Sequence, residues 1–243
     1  MSGDAEPMAP ARRRRRWRWL LRIAAALALL ALGAVVLWVA TWPAVAPLAT
    51  SFPETTAFIE RDRAKGVKVR WQPVAYGAIA DDLKLAVLVA EDINFFSHHG
   101  FDTFEISQAA RDALEGGRVR GASTITQQLA KNLWLSPVKT PWRKLEEAVL
   151  SWRLERALSK RRILELYLNV VQFGPGTYGA AAASAHYFGV PASQLSADQA
   201  AQLAASLPRP SSWHPGVASR GSARHVERIR GRMERATWLE KLL

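Results

Sequence analysis

Three short stretches of this 243-residue chain concentrate side chains that can do chemistry. The first is VAEDINFFSHHG, residues 89–100, where Glu91 and Asp92 follow an apolar run and precede His98 and His99. A helical metal site wants histidines at i and i+4 with a glutamate between them. Here the histidines are adjacent and cannot both face one ion from a regular helix. The other three, His186, His214 and His225, form no second ligand cluster. That leaves acid–base chemistry by one carboxylate, or a solvated helix end with two surface acids, and spacing alone favours the solvated end.

The second stretch, GASTITQQLAKN (residues 121–132), stacks Ser123, Thr124, Thr126, Gln127, Gln128 and Asn132 around one cation, Lys131. It reads equally well as a capped helix with a polar face and as a donor-rich site for a sugar or phosphate. In the third, RKLEE, Arg143 and Glu147 are i, i+4 neighbours on a helix, and Lys144 and Glu147 are i, i+3. Taken singly it is a surface ion-pair ladder worth a few tenths of a kcal/mol. Its functional alternative is a carboxylate held among cations that face an anionic substrate.

These stretches lie on segments with helical signals. Asp81 or Asp82 can cap a helix through LKLAVLVAED, with apolar residues at 85, 88 and 89. Residues 103–115 and 123–135 form two more candidates. Thr140-Pro141 starts a further helix, on which Leu145, Val149 and Trp152 share one face. Ser159 can cap KRRILELYLNVV, and Ala-rich helices are expected over about 179–187 and 196–206. VKVRWQPV can be extended. With no strand series or internal repeat, the pattern predicts one mainly α domain over residues 71–243, preceded by a Pro-containing connector over residues 43–70.

Before the connector, Ile23–Ala40 runs eighteen residues without a charge, close to the ~20 that cross a bilayer. Trp17, Trp19, Trp38 and Trp42 flank it as interfacial aromatics. We read residues 1–22 as a basic cytoplasmic tail and 23–42 as a single transmembrane signal anchor. The seven arginines of the tail orient it with the amino terminus inside and everything after residue 43 outside. A cleaved signal peptide would use Ala44-Val45-Ala46, but Pro47 disfavours the cut. The net charge of +12 points to anionic lipid, phosphate or nucleic acid. Because the arginine run abuts an apolar span, we expect no nucleic-acid partner. There is no cysteine, which excludes disulfides and thiolate metal sites.

Taken together, the motifs resemble the peptidoglycan glycosyltransferases of glycosyltransferase family 51, most closely their monofunctional biosynthetic type. The form E-D-x-x-F-x-x-H-x-G is matched by Glu91, Asp92, Phe95, His98 and Gly100. The form G-x-S-T-I-T-Q-Q-x-x-K-N is matched at Gly121, Ser123 to Gln128, Lys131 and Asn132. R-K-x-x-E fits Arg143, Lys144 and Glu147, and K-x-x-I-L-E-x-Y-L-N fits Lys160 through Asn169. A glycine-rich segment with Tyr187-Phe188-Gly189 and an L-x-x-x-L-P-x-P segment (Leu203, Leu207, Pro208, Pro210) follow. The matches stand in family order over residues 71–215. Val190 departs from the Lys or Arg that often follows Y-F-G, far from the candidate acids.

The resemblance implies a lysozyme-like, mainly α fold behind a transmembrane helix in the bacterial inner (cytoplasmic) membrane, with the catalytic domain periplasmic. It implies lipid II and the growing glycan chain as substrates, with membrane lipid and cell-wall synthesis or division proteins as partners. Glu91 and Glu147 become the catalytic carboxylates, Glu91 as general base. Ser123, Gln128, Lys131, Arg143 and Lys144 become the substrate-binding set around a pyrophosphate. Some relatives use a divalent cation (Mg or Mn) there, although no dedicated metal cage is visible. Ser136 to Lys139 fits S-x-x-K, but Thr140-Pro141 follows and there is no S-x-N partner, so no transpeptidase is expected. About 100 residues after Lys139 would also be too few for another large domain. The alternative on the same fold is a membrane-anchored lytic enzyme. Phe101, Phe104 and Ile106 are candidates either for lipid contact or for the core.

Overall fold

The computed structural model describes residues 11–115, 123–138, 140–217 and 219–243. Two units result, one ending at Ala44 and one running from Val45 to Leu243. In the first, α1 (Ala11–Ala40) is continuous from the arginine run into the apolar span. Arg16–Ala40 is long and apolar enough to cross a membrane, with mean hydropathy 2.6 over its most apolar window. Residues 1–10 of the expected tail lie outside the described residues.

The second unit is built mainly of helices. In chain order these are α2 (Ala57–Ala64), α3 (Asp81–Glu91), α4 (Thr103–Leu114), α5 (Ile125–Trp134), α6 (Pro141–Ala157) and α7 (Lys160–Val170). α8 (Ala180–Phe188), α9 (Ala197–Ser206) and α10 (Arg220–Met233) complete the set. Three very short strands, β1 (Arg70–Trp71), β2 (Gln172–Gly174) and β3 (Thr177–Tyr178), make one sheet in the order β1-β3-β2. β1 is parallel to β3, with Arg70 opposite Thr177, and β2 is antiparallel to it. Gly179 turns from β3 into α8 at φ 79°, and a Cβ there would come 2.5 Å from the Asn169 carbonyl oxygen. Only glycine meets both demands.

α3 is buried all round, from Leu83 through Val89, as befits a helix that crosses the middle of a domain. It packs on α9 and α10, while α5 packs on α6 and α7. Each fully buried leucine of α3 contributes about 1.5–3 kcal/mol. α7 ties the earlier chain to the core through three polar side chains. Arg162 donates to the carbonyls of Leu48 and Ser51, both at 2.7 Å. Glu165 accepts from the Tyr76 N–H at 2.7 Å. Asn169, fully buried, exchanges hydrogen bonds with the backbone of Val74.

Two features differ from the sequence expectation. Residues 45–70 fold with the domain rather than lead up to it. Ile59 is fully buried, and Asp62 accepts from the Tyr178 hydroxyl at 2.7 Å. The expected α6 face is also inverted. Leu145 is 48% exposed and Trp152 52%, while Glu147, Leu150, Ser151 and Leu154 turn inward. Leu150, Leu154 and Leu158 form a second apolar stripe at i, i+4 spacing, and that stripe is the buried one. Of the two alternatives open for Phe104 and Ile106, their place on the surface of α4 excludes the core.

Candidate active site

Glu91 occupies the last position of α3, so a helix buried along most of its length delivers it to the surface of a cleft. Asp92 ends the helix by turning away. Its carboxylate pairs with His98 Nε2 at 2.9 Å and accepts the Ile125 N–H at 2.9 Å. Thr124 caps α5 in a capping box with Gln127, and its hydroxyl donates to the Gly100 carbonyl at 2.7 Å. Gly100 has φ 86°, and a Cβ there would press on the Glu155 side chain at 3.1 Å. The turn after Glu91 is therefore fastened to the start of α5 at two points.

α5 in turn presents Gln128 and Lys131. The Gln128 amide donates to Glu91 Oε2 at 2.7 Å, and its oxygen accepts from the Tyr167 hydroxyl at 2.9 Å. Tyr167 is fully buried, so this chain of bonds reaches from the core to the carboxylate. Burial pushes the Glu91 carboxyl above its ordinary value of 4.5, against the Gln128 hydrogen bond and the charge of Lys131. Burial, reinforced by the neighbouring carboxylates, holds the Tyr167 hydroxyl well above its usual range, and it stays a donor.

The cations gather beside this carboxylate. Arg143 donates to Glu147 Oε2 at 2.6 Å, and Lys144 pairs with Oε1 of the same group. The Lys144 ammonium also lies 3.4 Å from the Ser123 hydroxyl. Glu147 is 3% exposed, so its charge must be balanced where it sits, and two cations do so. Lys131 makes no ion pair among the described residues. Burial lowers its pKa, while the charges of Glu147 and Glu91 oppose that and those of Arg143 and Lys144 add to it. Lys131 thus lies in the field of both carboxylates and both other cations. All seven residues singled out from the sequence are thus neighbours in one cluster.

A model of the transglycosylase family matches residues 60–234. The chain belongs to that family. It is 46% identical over 188 residues to the biosynthetic peptidoglycan transglycosylase of Laribacter hongkongensis, covering 74% of this chain and 82% of that protein. The protein of the same name from Azoarcus sp. is 45% identical over 219 residues, covering 89% of this chain and 93% of its own. That of Alcanivorax borkumensis is 48% identical over 190 residues, 77% of this chain and 73% of its own. The chain is accordingly a glycosyltransferase.

Beside Glu91 lies a cavity of about 420 Å³. Ser123 and Thr124 line it from one side, and Arg232, Arg235 and Trp238 from the other. Arg232 braces α3 by donating to the Val89 carbonyl at 3.0 Å. Sequence reading missed these three residues. The available signal was the amphipathic arginine run of α10, whose apolar residues are too sparse to stand out.

Asp92, His98 and Asp102 bring one ligand atom each within 4.8 Å of one another. The same groups are already bonded within the protein. Asp92 holds His98 and Ile125, while Asp102 accepts from Asn94 and from the N–H groups of Phe104 and Glu105 that open α4. The trio is a brace beneath the base, and its donor set is that of a helix cap.

Proposed function

We propose that this transglycosylase polymerises lipid II, with the growing glycan chain as donor and a fresh lipid II as acceptor. Glu91, ionised, takes the proton of the acceptor's GlcNAc 4-hydroxyl. The hydroxyl oxygen bonds to the donor's anomeric carbon as the bond from that carbon to the pyrophosphate breaks. One displacement inverts the centre from α to β, and undecaprenyl pyrophosphate leaves. Lys131, Arg143 and Lys144 meet the charge that develops on it, with Ser123 as a further donor. Glu147 holds Arg143 and Lys144 in place.

The observation that carries this reading is the position of Lys131, a cation without an ion pair among the described residues, in the field of Glu91 and of the Arg143–Lys144–Glu147 cluster. A hydrolase acting on finished glycan has no pyrophosphate leaving group and no use for such a cluster. The donor set does not fit a protein-held divalent ion at the pyrophosphate. Both Glu147 oxygens are engaged by cations, and Lys131 adds charge of the wrong sign.

The membrane topology follows the same reading. The arginine-flanked span of α1 would leave the amino terminus in the cytoplasm and the domain on the outer face of the inner membrane, where lipid II displays its sugars. We assign no transpeptidase activity, because the S-x-x-K match at Ser136 lacks its partner motifs. The test is to incubate the full chain with lipid II and, separately, with finished glycan. Polymer from the first and no cleavage of the second is expected. Cleavage without polymerisation would instead establish the lytic enzyme.

A further inference from the structure

From the cavity beside Glu91 we infer that the carboxyl-terminal segment of this chain builds the acceptor's binding site, with Arg235 taking its phosphate and Trp238 stacking on its sugar. The inference rests on the polymerase reading and extends it to residues beyond the family match, which ends at residue 234.

The cavity reaches Glu91 and Ser123 but is lined by none of Gln128, Lys131, Arg143, Lys144 or Glu147. Two regions therefore meet at Glu91 and at Ser123, whose hydroxyl also lies 3.4 Å from the Lys144 ammonium. The cationic one suits a departing pyrophosphate, which belongs to the donor. The other must hold the molecule whose hydroxyl the base deprotonates. Its walls have the chemistry of a phosphorylated sugar. Glu105 and Ser123 offer acceptors and a hydroxyl to sugar hydroxyls, Trp238 offers an indole that is 52% exposed, and Arg235 offers a guanidinium. Neither Arg235 nor Trp238 has an ion-pair or aromatic partner among the described residues. Arg232, by contrast, is committed to the α3 backbone. A planar indole face and a forked cation converge on one cavity, which is how ring faces and phosphates are usually held.

The segment is held in place to do this. Ala236 and Leu239 are buried, and the Leu239 N–H bonds to the Ala236 carbonyl at 2.9 Å. The side chains between them are thereby presented outward from a fixed turn.

The experiment separates donor from acceptor. The full chain is given a saturating lipid-linked glycan whose terminal 4-hydroxyl is capped by galactose, so that it can only donate. Lipid II is then titrated as acceptor. Arg235→Ala and Trp238→Ala should each raise the acceptor KM about tenfold, the size of one charge-assisted hydrogen bond. The donor KM should stay unchanged and kcat at saturating acceptor nearly so, and Trp238→Tyr should restore most of the affinity. An unchanged acceptor KM in both variants, or equal shifts for donor and acceptor, overturns the inference and leaves the polymerase intact. Failure of the unmodified protein to join the two substrates overturns the polymerase reading itself. Melting curves on each variant identify any that misfold, and Trp238→Leu with Arg235→Gln then carry the test.

Discussion

Glu91 and Glu147 lie in one cleft on different helices, and they are partnered in opposite ways. Glu91 has a neutral amide on one oxygen and the cleft before the other, and burial raises its proton affinity. Glu147 has a cation on each oxygen and lies deeper. A carboxylate that must accept a proton cannot be saturated with positive charge, and one that organises cations must be. The contrast assigns a base and a counter-ion to two residues that sequence alone treats as the same acid.

The largest effect should come from Glu91→Gln, with polymerisation of lipid II falling about a thousandfold. The same variant should melt higher than the parent at neutral pH. Because the folded pKa lies above the ordinary 4.5, the ionised group costs stability above that raised pKa and none below pH 4.5. The gain should therefore vanish in acid, and a lower melting temperature at neutral pH would break the contrast. Next, Lys131→Ala should slow turnover about a hundredfold while leaving the fold in place, as expected for loss of a charge-stabilising donor. A normal rate would remove the cation from the mechanism.

Glu147→Gln should slow turnover by roughly tenfold or more, and unlike Glu91→Gln it should destabilise, by about 2 kcal/mol once the partial exposure of Lys144 is discounted. Denaturant titration of the two glutamine variants side by side gives the sign directly. The smallest effect is a shift rather than a loss. Gln128→Met removes a hydrogen bond that lowers the Glu91 pKa, so the acid limb of the kcat/KM profile should move to higher pH. A shift to lower pH would mean that the amide does not favour the ionised form.

Much of this was readable before the structure. The helices carrying Glu91, Gln128, Lys131 and Glu147 were marked by caps and apolar periodicity, and the motifs named the side chains. Convergence across the fold was not readable, because local spacing carries no information about which distant segments meet. The 2.7 Å bond between Gln128 and Glu91 joins residues 37 apart. On α6 two apolar stripes compete, Leu145–Val149–Trp152 and Leu150–Leu154–Leu158, and the sequence alone does not say which of them the rest of the domain covers. α10 escaped notice because Ile229 and Met233 are nearly its whole buried apolar content.

The bond from Tyr167 to Gln128 has a stereochemical consequence. A free carboxylate has two interchangeable oxygens, and an amide can offer either its nitrogen or its oxygen to them. The Tyr167 hydroxyl claims the amide oxygen, so only the nitrogen can face Glu91, and it occupies Oε2. Oε1, with no hydrogen bond among the described residues, is the freer of the two to receive a proton. The core tyrosine thereby breaks the symmetry of the base, and an incoming hydroxyl has one favoured direction of approach.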